Sequence, residues 1–324
     1  MSGQAEQETA AVYRQFAAEE AAGRSELYVR LGRGVADDPA VLGFLTGLPA
    51  EKRQPQLLLA AVRYLAGMPA SYAGLRAVVL GRGAELAPVM LARRVQTNEP
   101  ARCATLLPAL AALPQPLALL EVGASAGLCL QPDRYSYDYG TRRIAGQPGA
   151  PVLSCRCLGP VPLPDHPVQV AWRAGIDLNP LDVTDPNDVR WLSCLVWPGE
   201  GDRAARLAAA IAVARRDPPR VVPGDLVDRL AATAAGAPTG ATLVVFHSSV
   251  LAYVSPVQRR EFAQAVTGLG AVWLAQESPG VMASVPGFPP PARPPGGMAY
   301  VLTRDGRDPL AYADGHGTWL SWIS

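Results

Sequence analysis

L-A-L-L-E-V-G-A-S-A-G, Leu117 to Gly127, is an apolar run of strand length that meets a carboxylate, Glu121, and then sets small residues at positions 123, 125 and 127. Leaving a strand for a helix within a few residues demands glycine or other small side chains. It also leaves backbone N–H groups facing whatever lies beyond the strand end. The stretch therefore reads as a strand followed by a tight, ligand-facing turn.

Upstream of it, from about Gln4 to Leu113, Ala, Leu and Val recur at three- and four-residue spacings, which is the helical period. Asp38 is placed to cap a helix with Pro39 at its first position. Pro55 opens a helix over Gln56 to Leu65, and Asn98 is placed to cap one beginning at Glu99 and Pro100. Downstream of Pro114 and Pro116 the texture changes to short β-rich runs separated by helical stretches, the pattern of a parallel sheet with crossover helices.

The expected strands are Leu117–Val122, Val168–Ile176, Arg220–Pro223, Ala241–His247 and Ala271–Gln276. The expected helices run from about Asn187 to Arg215, Leu226 to Ala235 and Val257 to Leu269. Between the first two strands, about 135–167, lies a Gly-, Pro- and Tyr-rich loop or hairpin excursion. Two late strand-like runs, Met298–Arg304 and Gly317–Ile323, follow a proline-laden loop, Pro279–Pro295, readable as a mobile lid or as a stiffened surface connection. The expected organisation is a helical region over 1–114 and an α/β domain over 115–324.

Composition limits the function. Of 324 residues 18% are charged and the formal net charge is +1, so no general field recruits nucleic acid or an anionic membrane, and a small-molecule substrate is the expected partner. No run of about 18 apolar residues and no signal-like N-terminus is present, which makes a cytoplasmic protein the expectation. Oligomeric state is not legible. Five scattered cysteines without C-x-x-C pairs, and His166, His247 and His316 without ligand-like spacing, argue against a metal site. Lys52 is the sole lysine and lies outside any glycine-rich loop, which excludes a Walker-type phosphate loop.

Glu121-x-Gly123-x-Ser125-x-Gly127 resembles the first motif of class I S-adenosylmethionine-dependent methyltransferases, with Ser125 where the middle glycine usually stands. That resemblance implies a Rossmann-like methyltransferase sheet with helices on both faces, preceded here by an all-α region. It implies S-adenosylmethionine bound by Glu121, Gly123, Ala124, Ser125 and Gly127. Ala174–Pro180 resembles the second-strand motif, whose carboxylate accepts both ribose hydroxyls, making Asp177 the candidate. Asp138, in Tyr135–Tyr139, is its competitor at nearer the usual distance.

Val221–Asp225 ends in Gly224-Asp225, as the adenine-contacting turn of that class often does, although helix capping by Asp225 needs no ligand. Ala241–Tyr253 resembles the fourth-strand motif facing the methyl group. Its His247 is the candidate proton acceptor, Ser248 a cofactor contact, and Glu277 a further residue at the next strand end.

Two other readings stand beside this one. Gly123-x-Ser125-x-Gly127 alone spells a hydrolase nucleophile elbow, with Ser125 as nucleophile, a later aspartate and His316. A binding or regulatory protein that kept the sheet without catalysis is the third. Trp197–Glu200 with Arg203 and Arg206 is either an anion clamp or a solvated face. Over most of its length the chain also resembles a bacterial family of unknown function. That likeness is carried by Gln96–Glu99, Leu120–Leu128, Asp133–Tyr135, Gly175–Leu178, Val196–Pro198, Gly224–Asp225 and Phe246–Ser248, and implies no particular substrate.

Overall fold

The computed structural model describes residues 2–289 and 299–323. Its strands are β1 (Leu117–Val122), β2 (Ser136–Asp138), β3 (Arg143–Ile144), β4 (Val152–Ser154), β5 (Arg156–Cys157), β6 (Val170–Asp177), β7 (Val221–Pro223), β8 (Thr242–Ser248), β9 (Val272–Glu277), β10 (Tyr300–Arg304), β11 (Asp308–Ala313) and β12 (Trp319–Trp322). The chain divides into two compact units. One comprises 1–97 with 186–205, the other 98–185 with 206–324.

The first unit is helical. Ser25, Asp38 and Ser71 cap helices Glu26–Ala36, Pro39–Thr46 and Tyr72–Gly81, each side chain accepting a backbone N–H of the first turn. Pro55 opens Pro55–Ala66, as its fixed φ and missing N–H allow. The returning segment brings large aromatics: Trp197 packs on Phe16 and Tyr28 at 5.4 and 5.3 Å, and Trp191 on Tyr64 at 6.0 Å. The long helix expected over 187–215 is two, Pro186–Leu195 and Gly201–Ala214, broken at Pro198 and Gly199.

The second unit is mixed α/β around a nine-stranded sheet ordered β5-β12-β11-β10-β9-β8-β1-β6-β7. From β9 to β7 neighbours are parallel, whereas β9 to β12 form an antiparallel meander. In chain order the five parallel strands run third, second, first, fourth, fifth. The winding therefore reverses at β1, and a crevice is expected outside the carboxyl ends of β1 and β8. All six residues of β1 are buried, as befits a central parallel strand covered on both faces.

Side chains alternate between the two faces of each strand. One face carries Leu120, Val122, Ala174, Ile176, Val245, Trp273 and Ala275 against Leu230, Ala234, Phe262 and Val266 of helices Leu226–Ala234 and Pro256–Gly268. The other carries Glu121, Phe246, Ser248, Leu274 and Gln276, and helix Arg102–Ala111 reaches it through Thr105.

The excursion after β1 forms a small sheet ordered β3-β2-β4, while β5 pairs with β12 at the edge of the large sheet. Tyr135, Tyr137 and Tyr139 are buried there, and their hydroxyls donate to the carbonyls of Leu128, Pro132 and Ala104 at 2.7, 2.5 and 2.7 Å. They are anchors of this segment as well as packing residues. β11 lies between the two late strand-like runs, where no strand was expected. Part of the proline-laden loop and Met298 lie outside the described residues, while Pro279–Met282 is a short helix capped by Ser278.

Candidate functional site

The turn after β1 is built from left-handed residues: φ is +68° at Gly123, +53° at Ser125 and +68° at Gly127. Only glycine adopts such angles without strain, so Ser125 is held there by its neighbours. Its N–H donates to Asp177 Oδ2 at 2.8 Å, and its carbonyl accepts from Leu181 at 3.1 Å. Gly123 and Ala124 donate to Ile176 O, and Gly127 donates to Ala124 O.

Asn98 completes the turn, accepting from Leu128 N–H at 3.0 Å and donating to Ala124 O at 3.2 Å. Asn98 is thus no helix cap, contrary to the expectation, and helix Arg102–Ala111 begins four residues later. A Cβ on Gly123 would overlap Val250, one on Gly127 would lie 2.6 Å from Pro219, and one on Gly175 would lie 2.5 Å from Ala124. Close packing within the chain therefore accounts for these glycines.

Asp177 ends β6, beside the turn, and its Oδ1 also accepts from Asn179 N–H at 2.8 Å. The next residue, Leu178, is 66% exposed, an unusual position for a large apolar side chain. Asp225 follows β7 and caps helix Leu226–Ala234 through Val227 N–H at 2.8 Å. Asp138 lies in the small sheet instead. There the Gly140 N–H and then Arg143 hold its carboxyl below the usual range. Of the two candidate ribose acids, only Asp177 stands at a carboxyl end of the large sheet.

His247 is fully buried on the helix-packed face. The indole N–H of Trp273 donates to its Nε2 at 3.0 Å, and since indole can only donate, Nδ1 carries the proton and donates to Glu277 Oε1 at 2.8 Å. Both ring nitrogens are occupied and Phe262 covers a ring edge at 5.6 Å. This geometry gives no support to the expected role as proton acceptor, because no nitrogen is left for a substrate. Glu277 Oε1 also accepts from Val250 and Leu251 N–H at 2.7 and 3.0 Å, so the pair secures the turn after β8. Glu277 faces this core, away from the polar face carrying Glu121.

On the opposite face a polar group gathers. Glu121 is 5% exposed, its Oε2 has no hydrogen-bond partner, and burial pushes its carboxyl well above the usual range, with Cys129 adding to the effect and Arg102 opposing it. Ser248 Oγ is likewise unpartnered. Thr105 Oγ lies 2.6 Å from Gln276 Oε1 and 2.8 Å from Arg102 O. Arg102 donates to Gly315 O at 2.8 Å and Ser248 O at 3.0 Å. Motif reading missed Arg102, Thr105 and Gln276. The available signal was Gln276, which with Glu277 closes the apolar run of β9.

Ser125 Oγ is buried at 4% residue exposure and has no hydrogen-bond partner, so no imidazole activates it. Arg206 is paired with Glu99 at 2.9 Å. In the helical unit Glu200 is paired with both Arg24 and Arg203 at 2.8 Å. Of the two readings of this segment, the anion clamp gains no support, because Arg203 and Arg206 are paired with carboxylates of the chain itself. No group of three or more metal-ligating side chains occurs among the described residues, and none of their helices is long and apolar enough to cross a membrane.

The chain belongs to a family described as an uncharacterized protein conserved in bacteria, DUF2332, whose profile matches residues 10–322. No curated protein and no solved structure matches it.

Proposed function

We propose that this member of the family binds S-adenosylmethionine at the carboxyl ends of β1, β6, β7 and β8 and transfers its methyl group to a small molecule. The observation that carries the reading is the reversal of winding at β1, with Gly123, Ala124, Ser125 and Gly127, then Asp177, Asp225 and Ser248, at successive strand ends around it. Such a sheet is Rossmann-like in its parallel part. The fit to the cofactor rests on Asp177 beside exposed Leu178, an acid for vicinal hydroxyls next to an apolar face for a base, and on the unpartnered buried hydroxyls of Ser125 and Ser248. A ligand lying against Gly123 requires the Val250 side chain to move aside.

When bound, S-adenosylmethionine supplies an electrophilic methyl group on sulfur. The chain's part is positioning, which suffices for much of an in-line transfer. Asp177 straps the β1 turn to the end of β6, Glu277 and His247 fix the turn after β8, and Phe262 with Trp273 keeps water from that pair. With His247 sealed, proton removal falls to solvent or to the acceptor itself. The same sealing favours, as second reading, a protein that binds the cofactor without turnover.

Calorimetric titration with S-adenosylhomocysteine is expected to give one site per chain, weakened at least about tenfold by Asp177→Asn. Absence of binding by either S-adenosylmethionine or its demethylated product removes both cofactor readings. A serine-directed fluorophosphonate is expected to leave Ser125 unlabelled, and labelling would restore the hydrolase.

A further inference from the structure

We infer that Arg102, Gln276, Ser248 and Glu121 form a carboxylate-binding subsite on the β8–β9 side of the winding reversal, opposite the side that bears Asp177 and Asp225. The inference rests on the methyl-transfer reading only for which molecule brings the carboxylate.

Arg102 is 7% exposed, yet its guanidinium meets only two main-chain carbonyls, Gly315 O and Ser248 O. Two of its five N–H groups are thereby used, and no carboxylate among the described residues lies within ion-pair distance. Other arginines of the same unit are treated differently: Arg173 is bound by both oxygens of Asp133 at 3.0 and 2.9 Å, and Arg206 by Glu99 at 2.9 Å. A buried cation without a counter-charge is costly, so the remaining guanidinium face is suited to an anion that arrives with a ligand.

The surrounding groups are suited to the same anion. Thr105 has one hydroxyl proton but two acceptors in reach, Arg102 O and Gln276 Oε1. If the proton goes to the helix carbonyl, the Gln276 amide turns and donates to Thr105 Oγ. Whichever way it turns, one polar end of this fully buried amide has no partner. Ser248 Oγ on the neighbouring strand is unpartnered, and its register partner is Gln276. Glu121, two residues back on the same face, carries an unpartnered Oε2, and burial pushes its carboxyl well above the usual range, so that its protonated form offers a donor to an anion. One guanidinium among neutral donors suits a monoanion better than a phosphate dianion. The carboxylate is either the amino-acid end of the cofactor or part of the methyl acceptor.

The test compares matched ligands on the full chain by calorimetry. S-adenosylhomocysteine is set against 5′-methylthioadenosine, which lacks the amino-acid portion. L-methionine and benzoate are set against methioninamide and benzamide, with inorganic phosphate as control. Arg102→Met and Gln276→Leu are measured in parallel, and because each reading is a ratio between two ligands on one protein, a loss of stability does not mimic the effect.

At least one carboxylate is expected to outbind its neutral partner about tenfold on the wild type and less than about threefold on Arg102→Met. Preference confined to S-adenosylhomocysteine assigns the subsite to the cofactor. Preference among the free acids assigns it to the acceptor. The inference is overturned if no acid is preferred on the wild type, if the preference survives in both variants, or if phosphate binds as well as the acids. Free-acid binding that depends on Arg102 without any S-adenosylhomocysteine binding keeps the subsite and removes the methyl-transfer reading. Binding of S-adenosylhomocysteine without a role for Arg102 does the reverse.

Discussion

Glu121 and His247 are both buried titratable residues near the carboxyl end of the parallel strands, and their surroundings give them opposite consequences. Glu121 has its carboxyl raised above the usual 4.5, chiefly by burial. Its contribution to stability is therefore fully present below about pH 4.5 and is lost as pH rises through the folded-state value. Glu121→Gln, which cannot ionise, is expected to match the wild type near pH 4 and to exceed it by about 1–3 kcal/mol at pH 8, read from urea midpoints at the two pH values. His247 is fully satisfied. His247→Ala is expected to cost about 3–5 kcal/mol, since it opens a cavity against Phe262 and strips partners from Trp273 and Glu277. At the level of single residues the sequence was half legible. That His247 ends a strand could be read from the apolar run before it. Which face it occupies could not, because a period of two gives alternation without naming the core side. Asn98 was misread for a related reason: capping is local and visible in sequence, whereas its partners at 124 and 128 are brought close only by folding.

Among the elements, the turn after β1 and the turn after β8 are a coupled pair. Gly123 has its left-handed angle and Val250 directly above its Cα hydrogen. Gly123→Ala is expected to cost about 1–2 kcal/mol in backbone strain plus at least about 1 kcal/mol in overlap. Val250→Ala should recover the second part only, giving a coupling of about 1 kcal/mol in a double-mutant cycle of thermal unfolding. A coupling of zero would mean that the turns do not touch. The parallel strands were legible almost to the residue, since strands covered on both faces are continuous apolar runs bounded by prolines, glycines and acids. The strands of the excursion and β11 were not. Two- and three-residue strands have no period to detect, and Asp308-Pro309 opens β11 with residues that disfavour strands.

For the whole molecule, sequence order hides which pieces belong together. A composition shift at Pro114 is visible, but the affiliation of 186–205 with the helical unit depends on Trp191 and Trp197 finding Tyr64, Phe16 and Tyr28, contacts more than a hundred residues apart. A fragment ending at Thr97 is accordingly expected to keep much of its far-ultraviolet helix signal while lacking a cooperative thermal transition, and a peptide spanning 186–205 should restore one. Methyl transfer by this chain requires that the strand ends hold the cofactor. A crystal structure with S-adenosylhomocysteine tests this most directly. The ribose hydroxyls are expected on Asp177, the base against Leu178 and the Val250 side chain displaced from Gly123. Ligand bound at Asp138 or elsewhere, or strand ends unchanged at saturating ligand, would contradict that expectation.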